Sequence, residues 1–201
     1  MLTESRKIAA FILAAGCSKR FGDKLKQLMP FRGKPILQRV LDEACLSVAD
    51  EVYLVLGCRW KTISRHIRAG RASIIINRNH EEGLSSSLRI AIRKARQINA
   101  DACVILLGDQ PLINHSFINK IVDIFLNKSD TSGVLSRYGE VMGTPAIIGK
   151  MLFDEVEKLR GDAGAKAILG NRKDVIKVDA PSEMLKDVDT EDDFRNLMKS
   201  L

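Results

Sequence analysis

Residues 13–30, LAAGCSKRFGDKLKQLMP, place two alanines and Gly16 directly after an apolar run, then follow them with Arg20, Lys24 and Lys26. Small residues let a backbone come close to a ligand, and successive N–H groups in such a turn form a nest for an anion. The cations that follow suit a polyphosphate. Neither GxxxxGK[ST] nor GxGxxG occurs, which argues against the commonest ATPase and dinucleotide-binding loops. On spacing alone, a solvated basic loop is the competing explanation.

A second candidate is LLGDQP, residues 106–111, where Asp109 ends an apolar strand just before a proline turn. A carboxylate at the carboxyl end of a strand is well placed to hold Mg²⁺ against phosphate oxygens, although a turn or capping aspartate has the same look. In EGLSSSLR, residues 82–89, Gly83 and three serines open an amphipathic helix. Helix N-termini attract anions and hydroxyls can bond a base, sugar or phosphate; one serine could instead be the N-cap. Further on, Asp162 and Lys166 of RGDAGAKAIL can meet a second substrate or only each other, and Asp189 of DVDTEDDF can ligate a metal or belong to an ordinary helix start.

His66, His80 and His115 show no metal spacing and read as ordinary. Cys17, Cys45, Cys58 and Cys103 lie far apart without a CxxC pair, so reduced thiols are expected rather than a zinc site or disulfide framework. Cys17 falls within the proposed phosphate loop, where a small lining residue is a better reading than a nucleophile.

The elements that must position these residues recur in a regular way. Runs rich in β-branched residues at 8–14, 52–56, 74–76, 104–107, 134–135, 146–148 and 175–178 read mostly as strands. Between them lie stretches of helical spacing, such as Leu84, Leu88, Ala91, Ala95 and Ile98, with Arg89, Arg93, Lys94 and Arg96 mostly on the opposite face. Pro35, Asn114 and Thr190 mark helix starts. Alternating strands and helices predict a mostly parallel sheet covered on both faces, in one domain spanning residues 1–201. In such sheets ligands sit beyond the carboxyl ends of the strands, where the candidate residues fall.

Composition narrows the field. With 201 residues, 45% apolar, the chain can bury a continuous core. The net charge of +7 would permit nucleic acid, yet Lys and Arg are spread along the chain and aromatics are few; no stacking platform for single strands is readable, and a small polyanion explains the charge equally well. The apolar stretch 8–15 is too short for a signal peptide and runs into charged SKRFGDKLK, while no other run approaches a membrane span. A cytoplasmic protein is expected.

Taken together, LAAGCSKRFG, KQLMPFRGKPIL, GLSSSLR, LLGDQP, GTPAIIG, GDAGAKAIL and DVDTEDDF resemble the nucleotidyltransferases that act on the molybdenum cofactor, specifically the cytidylyltransferase branch. The likeness runs from Ile8 to about Phe194. It implies a Rossmann-like three-layer α/β/α fold of the nucleotide-diphospho-sugar transferase type, and transfer of CMP from CTP to a molybdopterin-type cofactor with release of pyrophosphate. By motif position, Leu13, Ala14, Ala15 and Gly16 would meet the triphosphate through their backbone, and Arg20 and Lys26 would neutralise it. Asp109 and Asp189 would be the paired Mg²⁺ ligands, with Gly83 and Ser87 in the nucleoside pocket. A molybdenum hydroxylase would be the partner served.

The stretch between Gly22 and Lys26 is one residue longer than in many members, which leaves Lys24 a rival to Lys26; the KQLMP run favours Lys26. Ala15 stands where relatives using GTP tend to carry glycine, a lean toward CTP. The competing functions are guanylyl transfer to molybdopterin, nucleotidyl transfer to a sugar or alditol phosphate, and a non-catalytic accessory protein that carries the cofactor.

Overall fold

The computed structural model describes residues 6–17, 21, 24–188 and 190–199. Its first strand, β1 (Ile8–Ala14), is buried along its whole length. Alternate side chains therefore feed two cores instead of one core and solvent: Ile8, Ala10, Ile12 and Ala14 enter the first, Ala9, Phe11 and Leu13 the second. A strand covered on both faces reads as a continuous apolar run, the physical reason IAAFILA shows no alternation of polarity.

Three strands continue the sheet in parallel: β4 (Glu51–Leu56), β5 (Ser73–Ile76) and β6 (Ala102–Leu107), with Ala14 opposite Leu56, Leu13 opposite Leu107 and Leu56 opposite Ile76. Their returns pass through α1 (Ile36–Leu46), α2 (Trp60–His66) and α3 (Leu84–Gln97). With α4 (His115–Leu126), helices α1 and α2 seal the first face, through Leu37, Leu41, Ile63, Ile118 and Ile121. The second face is sealed by α3 with α5 (Phe153–Glu157) and α6 (Ala165–Leu169), through Leu88, Ile92, Val156 and Leu169. Full burial of each such side chain contributes about 1.5–3 kcal/mol.

The far half of the sheet changes direction. β7 (Gly133–Tyr138) and β8 (Val141–Gly149) form a hairpin, and β8 slots between β6 and β7, antiparallel to both; β9 (Val175–Asp179) then lies parallel to β7. The order is β5-β4-β1-β6-β8-β7-β9, a mostly parallel seven-stranded sheet in three α/β/α layers, as expected. One hairpin was not foreseen: β2 (Pro30–Phe31) and β3 (Lys34–Pro35) are joined by Arg32 and Gly33, both at positive φ, the two-residue turn that suits strand twist. It seats Phe31 beside Phe21, Ile36, Val188 and Leu197 of α7 (Glu191–Lys199) in a third, smaller core.

Helix starts follow the sequence signals, with one correction. Asn114 Oδ1 accepts from Phe117 N at 2.9 Å, and Thr190 and Asp193 bond each other reciprocally. The serines of GLSSSLR are not caps. Gly83 occupies the N-cap position of α3, without a capping side chain, and Ser85, Ser86 and Ser87 are buried. Arg89 likewise departs from the polar face predicted for it: it is 9% exposed and packs inward. Among the described residues no helix is long and apolar enough to cross a membrane.

Candidate active site

Because β1, β4, β5 and β6 run in parallel, their carboxyl ends deliver four loops to one edge of the sheet. A cleft of about 540 Å³ opens there, between the end of β1, the end of β6 and the start of α3. Leu13, Ala14, Ala15 and Gly16 form one wall, Gly83 and Ser87 another, and Lys26 and Asp109 stand between them. Eight of the ten residues singled out from the sequence thus come together; the other two, Arg20 and Asp189, lie outside the described residues.

Lys26 Nζ sits 2.5 Å from Asp109 Oδ2, with the two side chains 15% and 17% exposed. Such a pair is partly withdrawn from water, so its charges act more strongly on each other and on a ligand than surface charges do. The second oxygen, Asp109 Oδ1, is buried without a hydrogen-bond partner among the described residues. An unmet buried acceptor costs roughly 1–3 kcal/mol, more when charged, unless a ligand or cation satisfies it. A hard carboxylate oxygen beside a lysine, in a residue that lines the cleft, fits a divalent cation carrying phosphate.

Lys24 is placed differently. It is 61% exposed and pairs with Glu191 at 2.6 Å, away from the cleft lining.

The walls are held by polar contacts that the sequence did not disclose. Gln27, 2% exposed, donates from Nε2 to Gly16 O at 3.0 Å and so holds the loop that follows β1. Asn77, fully buried after β5, donates to Ser86 Oγ at 2.8 Å and Ser87 Oγ at 3.0 Å while its Oδ1 accepts from Asn79 N. Arg89 reaches Leu159 O at 2.7 Å and Glu82 Oε2 at 2.5 Å, stapling the turns on either side of Gly83. Gly83 has φ +89°, and a Cβ there would lie 2.5 Å from Gly161 O, so only glycine lets the two turns touch. Asp162 lines the same cleft and accepts weakly from Leu84 N, at 3.4 Å.

A neighbouring depression of about 280 Å³ holds Lys166 at its rim, together with Gln110, Thr144 and Asp187. Thr144 Oγ1 donates to Gln110 Oε1 and Gln110 Nε2 to Asp187 Oδ1, both at 2.8 Å. Val188 N donates to Asp109 O at 3.1 Å, tying this segment to the end of β6.

Two expectations need correcting. His80 is not an incidental residue but lines the cleft. Cys17 and Cys58 are not separate reduced thiols: they form a disulfide, Cα to Cα 5.0 Å, because β1 and β4 are neighbours in the sheet and Cys17 follows Ala14 by three residues where Cys58 follows the facing Leu56 by two. Sequence separation carried no hint of it. Cys45 and Cys103 are free.

Solved nucleotidyltransferases share this sheet and its connections, so the fold is the Rossmann-like fold of that class. Residues 10–175 match the MobA-like NTP transferase domain, and the chain belongs to that family of nucleotidyltransferases. Among its relatives is the purine catabolism protein PucB of Bacillus subtilis, 27% identical, with 94% of this chain aligned to 95% of that one. A probable molybdenum cofactor guanylyltransferase of Methanosarcina mazei is 30% identical over 85% of this chain and 77% of its own. Rv0371c of Mycobacterium tuberculosis H37Rv, 28% identical, superposes with a TM-score of 0.84 over 97% of this chain and 98% of its own, and has also been solved in complex with manganese.

Proposed function

We propose that this chain, as a single nucleotidyltransferase domain, transfers CMP from CTP to the phosphate of a molybdopterin-type cofactor and releases pyrophosphate. The observation that carries the reading is the orphaned Asp109 Oδ1 beside Lys26 in a cleft walled by Ala14, Ala15 and Gly16. That arrangement is costly to maintain without a cation and a phosphate to complete it.

A phosphate oxygen of the acceptor attacks the α-phosphorus in line and pyrophosphate departs on the opposite side, with no covalent protein nucleophile. The chain positions the groups and offsets charge: the phosphate loop grips the triphosphate by its backbone, and Lys26 with Arg20 balances the charge growing on the leaving group. Asp109, joined by Asp189, would hold Mg²⁺, and the ion would supply charge withdrawal from the phosphates. That a relative has been solved in complex with manganese supports a divalent ion as cofactor. Ser87 and Gly83 would border the nucleoside, and the depression beside Lys166 and Asp162 would take the acceptor.

The Methanosarcina relative's name favours a second reading, guanylyl transfer to the same acceptor; Ala15 speaks for CTP. A carrier without catalysis would have no use for the Lys26–Asp109 pair. A cytoplasmic setting, with a molybdenum hydroxylase served downstream, belongs to the same proposal.

The test has two parts. Calorimetry with CTP and GTP, with and without Mg²⁺, should show metal-dependent binding, with CTP tighter. Pyrophosphate release is then followed across both nucleotides with molybdopterin, sugar phosphates and alditol phosphates as acceptors. If neither nucleotide binds in millimolar Mg²⁺, the reading is wrong.

A further inference from the structure

Two cysteines separated by 41 positions in sequence meet beside the cleft. Cys17 follows Gly16 on the phosphate loop; Cys58 follows Gly57 at the end of β4. His80, on the turn after β5, brings Nδ1 to 3.8 Å from Cys17 Sγ. The two anchorages differ in rigidity. At Gly57 an added Cβ would come within 2.6 Å of His80 Cβ and 2.7 Å of Ala15 O, and Cys58 N donates to Ala15 O at 3.0 Å, so Cys58 rests on a close-packed junction of strand ends. Around Gly16, which is exposed, an added Cβ would meet nothing within 4 Å. The bridge therefore ties the more open end of the loop, beyond the Gly16 carbonyl that Gln27 holds, to a close-packed support.

The fold does not call for this bridge. β1 and β4 are already in register from Ala9 opposite Glu51 to Ala14 opposite Leu56, with a large core on each face. Disulfides that hold folds together belong to small domains lacking such cores. Both cysteines are only partly buried, within reach of a small thiol, whereas the fully buried Cys103 has its thiol pushed far above the usual range by burial.

We propose that Cys17 and Cys58 are a thiol–disulfide exchange site through which a small-molecule thiol and its disulfide set the nucleotide affinity of the cleft. The inference rests on the reading that the cleft binds a nucleoside triphosphate. The bridged form is the one that binds better: a loop ordered in advance need not be ordered by the ligand. In the forward step one cysteine thiolate attacks a sulfur of the small disulfide and expels a thiol. The other cysteine attacks the resulting mixed disulfide and expels the second, so two protein S–H groups are lost, one S–S bond forms, and the small disulfide is reduced to two thiols. By linkage, nucleotide must favour the bridged state by the same factor that bridging favours nucleotide.

The experiment equilibrates the full chain in glutathione and glutathione-disulfide buffers, counts alkylatable thiols in denaturant by mass spectrometry, and measures CTP and GTP binding with Mg²⁺ on the same samples. The count should move from four of four cysteines to two, Cys45 and Cys103, with circular dichroism unchanged. The reduced form should bind at least about threefold more weakly, a modest effect for loss of order in one or two backbone residues. Saturating nucleotide should shift the thiol–disulfide midpoint by the same ratio. Cys17→Ser and Cys58→Ser should each bind like the reduced form and ignore the buffer. Equal affinities in both states overturn the proposal, as does tighter binding by the reduced form or a bridge that yields only when the protein unfolds. Stoichiometric zinc uptake by the reduced protein, lost in Cys17→Ser, would reassign Cys17, Cys58 and His80 as a metal site and also overturn it. Exchange without nucleotide binding in either state strikes the nucleotide reading itself and removes the coupling with it, while the thiol count reports separately.

Discussion

At the scale of single residues, Lys26 and Asp109 share one short contact, yet removing either has different consequences. Asp109→Asn keeps the size of the side chain and the turn, so the fold should survive while turnover falls by about two orders of magnitude or more, the loss expected for a preorganised electrostatic contact. Thermal melts run beside pyrophosphate release separate this from a turn residue, which would lower stability and spare turnover per folded molecule. Lys26→Ala should reduce turnover at saturating CTP by at least about tenfold, roughly 1.4 kcal/mol of barrier. Lys24→Ala should chiefly raise the Michaelis constant, and cost little stability, since its pair with Glu191 is largely exposed. The reverse pattern would hand the catalytic role to Lys24. Both lysines were visible in the sequence; what ranks them is that Gln27 and the β2–β3 hairpin anchor the chain just after Lys26.

At the scale of elements, the wall formed by the start of α3 depends on contacts no local pattern announces. Asn77→Ala removes the amide donor shared by Ser86 and Ser87 inside a buried cluster, so about 1–3 kcal/mol of stability should be lost, with weaker nucleotide binding because Ser87 loses its anchor. Gly83→Ala should cost a similar amount through its left-handed φ and the collision with Gly161; chemical denaturation measures both. An effect below a few tenths of a kcal/mol at Gly83 would mean the two turns do not touch in solution. The strands and long helices were legible because burial on both faces leaves continuous apolar runs and one-sided burial leaves helical spacing. One serine stayed open as a cap in the sequence because capping and burial suit the same small polar residue, and only the distant Asn77 decides between them. The Cys17–Cys58 bridge was missed for a related reason: it arises from strand order, which no spacing rule encodes.

Across the whole molecule, titration should limit stability at both ends of the pH scale. Tyr53 and Tyr138, the chain's two tyrosines, are both pushed from 10 up to about 12, first of all by burial; Tyr53 donates to Glu51 and Tyr138 to Thr144 O. Their neutral forms are favoured in the fold, so the stability they lend is intact below about pH 10 and is lost as pH rises from there toward 12. Phenolate absorbance should therefore appear late and together with unfolding; early, non-cooperative ionisation would contradict the burial of both rings. At the acid end Asp174 is held down to about 2 by Arg172, so stability should fall as pH drops from about 4 toward 2, and salt should weaken this exposed contribution. The hydrogen bond from Val188 N to Asp109 O has a further consequence, one of timing. The ribosome delivers β1, β4, β5 and β6 first, and a nascent chain carrying these strands already has Ala14, Lys26, Ser87 and Asp109 in hand. The carbonyl of Asp109 gains its partner only once residue 188 has emerged, and Phe21 and Phe31 gain their cover only with Leu197. The cleft's support thus closes only after residue 197 has emerged, and a chain cut short before it would carry the cleft residues on a sheet that lacks that support.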